Sequence, residues 1–196
     1  MQTRADFYQR NLPHWHPSGA SFFLTWRLYG SLPPNSRTAT NGCATNTKSP
    51  GRRFVELDHA LDAQTSGPHW LKEPQVANCI LKVLLRGERQ LNYFVLRSFV
   101  IMPNHIHLLI TPNVPLAKIT DGLKGTSARS ANSILNRTGS HFWQDESFDH
   151  WIRSTREAKL IRSYIERNPV SAGLVKRPQD WPWSSASIPL TPRSLF

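Results

Sequence analysis

Cysteine is scarce in this 196-residue chain, since only Cys43 and Cys79 occur and they lie far apart. Two isolated cysteines exclude a disulfide framework and a zinc knuckle, and they favour a reducing, cytoplasmic location. The polar start, MQTRADFYQR, lacks the apolar stretch of a secretion signal, so we expect none. The longest uncharged run, 98–117, contains three prolines, two histidines and two asparagines, which makes it a poor membrane span.

Acidic residues are also few, because 13 Asp and Glu stand against 24 Lys and Arg and give a formal net charge of +11. An excess of this size favours a polyanionic partner, either nucleic acid or an anionic membrane surface. The basic residues are spread from Arg4 to Arg193, so folding has to assemble any basic surface. Hydrophobic residues make up 39% of the chain, which is typical of a globular protein.

Hydrophobic periodicity predicts an alternation of strands and helices along the chain. The predicted strands are 19–31, 90–101, 105–111 and a short one within 141–153, and the predicted helices are 73–88, 115–137 and 154–170. This order predicts an α+β fold, in which a ferredoxin-like antiparallel sheet carries helices on one face. A C-terminal helix that bears Tyr164 is added to this core.

The length of the chain fits one domain, 1–196. Residues 35–53 are polar and turn-forming and contain almost no large apolar side chain, so they predict a flexible insertion and not a domain linker. Residues 187–196 are expected to form a short tail.

The final helix has a predicted limit at each end. Ser154 and Glu157 have the spacing of a capping box, which begins the helix just after Ser154. Its end is expected near Asn168, because the residue before Pro169 is disfavoured in the α conformation. Tyr164 and Asn168 are four residues apart and share one helical face. Taken alone, such a tyrosine is usually a core residue, and such an asparagine is usually a capping or turn residue.

Two histidines lie one residue apart in the predicted strand MPNHIHLLI. Alternate residues of a strand point to the same face, so His105 and His107 project side by side, within reach of one cation. Ile106, Leu108 and Ile110 point to the opposite face, where the core would bury them. Two hydrogen-bonded histidines without a metal are the ordinary alternative for an isolated pair of this kind.

A second pair with the same spacing occurs in PHWHP. Because Pro13 and Pro17 flank it, a paired strand is disfavoured there, and His14 and His16 are predicted to be loop residues.

Several segments with spaced motifs occur in one order: MPNHIHLLITP, LKGTSARSANSILNR, FWQDESFDHWIR and YIERNPVSAGLVKRPQDWPWSS. Together they resemble the REP-associated tyrosine transposases, relatives of insertion-sequence transposases that carry the HUH motif of histidine, bulky apolar residue and histidine. The opening LPHWHPSGASFFLTWRLYGSLP is also similar to the first strand of that family. The resemblance covers roughly 11–34 and 54–186, which is most of the chain.

The resemblance implies metal-dependent cleavage and rejoining of single-stranded DNA, usually at hairpins of palindromic repeats, through a 5′-phosphotyrosine and a free 3′-OH. The family's histidine pair falls on His105 and His107, and its nucleophilic tyrosine falls on Tyr164. The residue that completes the metal site falls on Asn168. Nitrogen and oxygen ligands without a thiolate suit Mg²⁺ or Mn²⁺. This ligand set is neutral and leaves the charge of the cation to act on phosphate.

The resemblance also implies that the helix 116–137 lies over the DNA, whereas a solvated charged face is an equally good interpretation of any single residue there. The candidate DNA contacts are Lys118, Lys124, Ser127, Arg129, Asn132, Arg153 and Arg162. His150 matches a frequent family residue and is a candidate for a group next to the site.

Two other functions stay open at this point. A histidine-dependent phosphoesterase would use the histidines directly, although HIHLLI lacks a third alternating histidine. A non-catalytic nucleic-acid-binding module with a decayed site is the second alternative. The resemblance favours a bacterial cytoplasmic protein that is on the nucleoid when bound to DNA, with a monomer preferred over a dimer.

Overall fold

The computed structural model describes residues 6–9, 13–16, 19–32, 56, 58–63 and 67–190, with side chains described from residue 19 onward. The strands are β1 (Asp6–Gln9), β2 (Pro13–His16), β3 (Phe22–Arg27), β4 (Phe94–Ile101), β5 (His105–Pro112) and β6 (Phe148–Trp151). The helices are α1 (Pro74–Arg89), α2 (Leu116–Ile134) and α3 (Thr155–Ser171), and residues 58–62 are also helical. Among the described helices, none is long and apolar enough to cross a lipid bilayer.

The main sheet has the strand order β4-β5-β3-β6, and every neighbouring pair is antiparallel. With α1 between β3 and β4 and with α2 between β5 and β6, this is the ferredoxin-like arrangement. The predicted α+β fold is therefore confirmed. The two central strands, β3 and β5, run side by side, with His107 opposite Thr25 and His105 opposite Arg27.

One face of the sheet carries the larger apolar core. Ile106, Leu108 and Ile110 of β5 are all fully buried on this face, as their alternation predicts. They pack with the buried sides of α1 and α2, which include Ile80 and Ile119. Both helices thus cover the same face, and burial of their apolar stripes stabilises the sheet.

Helix α3 packs on the other face over a smaller core. Phe23, Val100, Leu109 and Ile165 are buried together in this cluster, and Tyr164 packs against it. The helix that was expected in addition to the ferredoxin-like core therefore lies on the opposite side of the sheet from α1 and α2. His105 and His107 point to the same side as Leu109, toward α3.

The start of α3 is confirmed, because the Ser154 hydroxyl accepts a hydrogen bond from the Glu157 amide at 3.1 Å. The expected end near Asn168 is wrong, since the helix continues through Pro169 to Ser171. It ends where Gly173 adopts a φ of +70°. The Gly173 amide then bonds to the Val170 carbonyl and the Leu174 amide to the Pro169 carbonyl, which is a Schellman motif.

Residues 13–16 are also not the loop that was predicted. They form β2, which pairs antiparallel with β1 and places His14 opposite Tyr8 and His16 opposite Asp6. Pro13 is the first residue of the strand, a position where the missing N–H of proline is tolerated. The prediction failed because proline excludes the interior of a strand more strongly than its end.

Two predicted features fall wholly or partly outside the described residues. The insertion predicted at 35–53 lies outside the described residues. The tail predicted at 187–196 is described as far as residue 190, and Ile188 and Leu190 pack against the larger core. The start of this segment is therefore anchored to the domain.

The larger core predicts a strong dependence of stability on Leu108. Leu108→Ala should lower the free energy of unfolding by about 2–5 kcal/mol, because it removes a fully buried side chain from a packed site. Denaturant unfolding followed by circular dichroism measures this loss. Leu160→Ala is the matched control, since Leu160 is 64% exposed on α3 and should change stability by less than about 0.5 kcal/mol. Equal losses in the two variants would contradict this description of the core.

Candidate functional site

The histidine pair lies at the centre of the α3 side of the sheet. His105 and His107 are both 0% exposed, and their Nε2 atoms are 3.1 Å apart. Strand β5 imposes this arrangement, because residues two apart on a strand project in the same direction. The two imidazoles therefore meet as predicted.

Each imidazole has a hydrogen-bonding partner at its Nδ1 atom, on the side of the ring away from the other histidine. The Thr25 hydroxyl lies 2.7 Å from His107 Nδ1, and Asn104 Oδ1 lies 2.7 Å from His105 Nδ1. Asn104 Nδ2 donates to the Leu61 carbonyl at 2.9 Å, which fixes the orientation of the amide. His105 must therefore donate from Nδ1, and in its neutral form it directs a lone pair from Nε2 into the site. Burial lowers the pKa of His105, which favours that neutral form.

A third group, Asp58 from the helical residues 58–62, completes the cluster. Its Oδ1 atom lies 2.9 Å from His107 Nε2 and 3.3 Å from His105 Nε2. Burial by itself raises the pKa of the Asp58 carboxyl, but the charge of His107 and the contacts with both imidazoles lower it well below its usual range. The group is thus a buried carboxylate against two nitrogen ligands.

The spacing of these three atoms suits a divalent cation. Their separations are 2.9, 3.1 and 3.3 Å. Ligand atoms about 2.1 Å from a cation and at right angles to one another lie about 3.0 Å apart. The triangle therefore has the dimensions of one face of an octahedral site. Asp58 Oδ1 has no aligned hydrogen bond among the described residues, as expected of an oxygen that binds a cation.

Helix α3 brings the other two predicted residues to the same carboxylate. The Tyr164 hydroxyl donates to Asp58 Oδ2, and Asn168 Nδ2 donates to the same oxygen at 3.0 Å. The Tyr164 ring lies against His107, with 5.8 Å between the ring centroids. Asn168 is 2% exposed, and its Oδ1 has no hydrogen-bond partner in the described part of the chain. The residues predicted as metal ligands and nucleophile therefore meet, and Asp58 joins them.

Sequence analysis missed Asp58, which belongs to the short amphipathic segment FVELDHALD. Asp58 lies four residues before another acid, Asp62, on one face of that segment. A carboxylate pair on an otherwise apolar helical face was the available signal.

Three of the predicted DNA contacts on α2 bind other parts of the domain. Lys124 Nζ donates to the carbonyls of Gln144 and Asp145, both at 2.7 Å. Ser127 Oγ accepts from Trp143 Nε1 at 2.9 Å, and Asn132 Nδ2 donates to the carbonyl of residue 140 at 2.6 Å. These bonds hold the segment 140–145 to α2, and a contact of these residues with DNA stays a prediction.

The remaining candidates differ in exposure. Lys118 and Arg129 are exposed and eleven residues apart on α2, so they share one face. Arg153 is exposed before α3, whereas Arg162 pairs with Glu166 at 2.9 Å. His150, the predicted neighbour of the site, lies 2.7 Å from Glu157 and faces the same side of the sheet as Phe23, its partner on β3. It ties β6 to the first turn of α3.

Comparison with known proteins bears on the identity of this site. The family model "Transposase IS200 like" matches residues 71–168, which is half of the chain. A curated relative, the REP-associated tyrosine transposase of Escherichia coli (strain K12), is 29% identical over 93 residues. That match spans 47% of this chain and only 54% of the relative, so it covers about half of each protein.

A solved structure also has this fold. The REP-associated tyrosine transposase bound to a REP hairpin superposes with a TM-score of 0.54 at 20% sequence identity. The superposition covers 96% of this chain and 90% of the other. At this identity the likeness supports the fold alone.

The cluster predicts that Mn²⁺ binds and stabilises the folded chain. Calorimetric titration should detect binding, and Asp58→Asn should weaken it by at least about tenfold, because the variant removes the only anionic ligand of the triangle. Asp121→Asn, which changes an exposed carboxylate on α2, should bind Mn²⁺ like the unaltered protein. Equal affinity of Asp58→Asn and the unaltered chain would refute the assignment.

Asp62 lies next to the cluster, and its burial predicts that the stability of the folded chain depends on pH. Its Oδ1 has no hydrogen-bond partner among the described residues, and burial raises its pKa to about 6, with His105 opposing the shift and Asp58 reinforcing it. The unfolded value is about 3.9, so the folded chain binds more protons and loses stability as the pH rises between the two values.

Asp62→Asn removes this loss. It should raise the thermal midpoint by about 2–4 °C near pH 8 and leave it almost unchanged near pH 4. Thermal melts across this pH range make the measurement, with the exposed Asp121→Asn as control. A stabilisation that is the same at both pH values would show that Asp62 does not titrate as described.

Proposed function

The chain belongs to the IS200-like transposase family, and on that premise we propose that it is a metal-dependent nuclease and strand transferase for single-stranded DNA. It cleaves DNA through a covalent 5′-phosphotyrosine on Tyr164 and rejoins the strand from that intermediate. The observation that carries this proposal is the meeting of the Tyr164 hydroxyl and the two histidine Nε2 atoms at one carboxylate, Asp58.

His105, His107 and Asp58 are the residues that would hold the metal, and Asn168 lies beside them. Their nitrogen and oxygen donors, with no thiolate, fit Mg²⁺ or Mn²⁺. Such a cation would draw charge from the non-bridging oxygens of the phosphate and orient it. The resemblance implied a neutral ligand set, but Asp58 adds one negative charge and so also offsets part of the charge of the cation.

Tyr164 supplies the nucleophile. Its phenolic oxygen forms the bond to phosphorus, the bond from phosphorus to the 3′ oxygen breaks, and the phenolic proton is lost to solvent while the 3′ oxygen gains one. Asp58 orients the hydroxyl and does not keep the proton, because the pKa of this carboxyl lies far below that of a phenol. The phosphotyrosine bond conserves the energy that rejoining requires.

A single-stranded DNA hairpin is the substrate that we propose. The net charge of +11 favours a polyanion, and Lys118, Arg129 and Arg153 are exposed for phosphate contacts. The solved relative with the same fold is described as bound to a REP hairpin. One tyrosine of this kind per chain fits a monomer that acts on one strand at a time. A cytoplasmic protein that is on the nucleoid when bound to DNA follows from the same substrate.

The proposal predicts a covalent adduct. Incubation with a hairpin DNA bearing single-stranded arms and Mn²⁺ should yield a protein–DNA species that survives denaturation. Tyr164→Phe should reduce the rate of adduct formation on the order of a thousandfold or more and leave DNA binding largely intact. Tyr93→Phe is the matched control, since this partly buried tyrosine lies beside Lys118 and not at Asp58.

Each of the other outcomes would contradict a different part of this proposal. An adduct that survives Tyr164→Phe would overturn the assignment of the nucleophile. Cleavage without an adduct would identify a histidine-dependent phosphoesterase, and binding without cleavage would identify a nucleic-acid-binding module with a decayed site. Unchanged cleavage in saturating chelator would remove the metal from the proposal.

A further inference from the structure

Arg27 is the last residue of β3 and lies directly opposite His105 on β5. Directly opposed residues of an antiparallel pair project to the same face, with Cβ atoms about 4.5–5.5 Å apart. The bond between Thr25 and His107 confirms that this face of β3 is the one at the metal cluster. Arg27 therefore borders the cluster, on the side of His105.

The guanidinium of Arg27 has few partners. Within the described part of the chain its one hydrogen bond goes from Nη1 to Ser31 Oγ, at the long distance of 3.4 Å. A guanidinium carries five N–H donors. Arg162 and Arg177, by contrast, each pair with a carboxylate, Glu166 and Asp180.

The charge of Arg27 is also partly removed from water. The side chain is only partly exposed, and burial lowers the pKa of its guanidinium. No carboxylate among the described residues opposes that shift. A desolvated cation with spare donors is costly unless an anion satisfies it, so the position favours a bound anion.

We propose that Arg27 binds a backbone phosphate of the DNA strand that enters the metal cluster, and this identity of the anion rests on the function proposed above. Arg27 lies opposite His105, one side-chain position along β3 from Thr25, which lies opposite His107, so it borders the cluster at its His105 end. The phosphate in this proposal is therefore a neighbour of the one that is cleaved, and not the cleaved phosphate itself. Arg27 is a positioning residue in this scheme, since it fixes the register of the strand on the cluster.

The chain that directly follows Arg27 offers a second group suited to the same ligand. Tyr29 is 50% exposed and stacks on the exposed ring of His141, with 5.0 Å between the centroids. Exposed aromatic rings beside a basic group are the usual components of a single-strand binding surface, because every base can stack on them.

The test measures binding in a Tyr164→Phe background, where the DNA stays intact. A fluorescent hairpin DNA with single-stranded arms is made as a series, each member with one arm phosphate replaced by a neutral methylphosphonate. Arg27→Gln should weaken binding of the unmodified hairpin about tenfold and reduce the salt slope by about one. Its effect should vanish on the single hairpin whose neutral phosphate is the partner of Arg27, because that contact is already lost.

Arg97→Gln is the matched control. Arg97 is a partly buried arginine of the same sheet, but its Nε donates to Thr111 Oγ1 at 3.1 Å, at the far end of β5 from His105. This variant should show no coupling to any arm phosphate. Mn²⁺ affinity should not fall in Arg27→Gln, because the variant removes a charge that repels the cation, and this separates a DNA contact from damage to the cluster.

Unchanged binding by Arg27→Gln, or a loss that is the same for every hairpin in the series, would overturn the proposal. If Arg27→Gln does not fold, Arg27→Lys replaces it. This variant should lose only part of the DNA affinity, and that loss should still vanish on one hairpin of the series. Coupling in a protein that forms no adduct in the Tyr164 assay would refute the proposed function and leave the Arg27 contact standing. An adduct without coupling would support the proposed function and refute the Arg27 contact.

Discussion

The pairing of β3 with β5 in one register is the constraint on which the site depends. It sets Thr25 opposite His107 and Arg27 opposite His105, so that one strand supports the imidazoles of the other. Because side chains alternate along a strand, a slip by one residue would turn both histidines into the larger core and expose Ile106 to Asp58. The apolar residues on the far face, packed under α1 and α2, make that slip costly. Packing on one side of the sheet thus fixes the chemistry on the other.

Asp58 joins elements that are remote in the chain. One oxygen lies against both histidines, and the other accepts from Tyr164, 106 positions away, and from Asn168. The carboxylate is buried, so these contacts replace the water that it would otherwise require. The proposed metal site and the proposed nucleophile therefore share one group, and a change in the position of either is transmitted to the other through Asp58.

Periodicity predicted the sheet, the three long helices and the face of the histidines, because these depend on local alternation. The spacing of Asp58 and Asp62 marked the segment, but the role of Asp58 could not be predicted from it, since that role arises only when a helical segment folds back onto β5. The end of α3 was misjudged because the constraint before Pro169 was weighed without the Schellman bonds at Gly173, which set the actual end. Likewise, the residue type of Lys124 suggests a phosphate contact, whereas the carbonyls of Gln144 and Asp145 that it binds reach its side chain only in the folded chain.

The sheet separates two apolar clusters of unequal size, and this division has a consequence for engineering. Leu108 and its neighbours under α1 and α2 lie on the opposite face of the sheet from His105, His107 and Asp58. The aliphatic side chains of that layer can be exchanged for others of equal volume in a search for heat resistance, on the far face of the sheet from the proposed metal site. The layer under α3 offers no such freedom, because Phe23 contacts the rings of both His107 and Tyr164. Substitutions that raise the thermal stability of the chain should therefore be sought in the core under α1 and α2 and not in the core under α3.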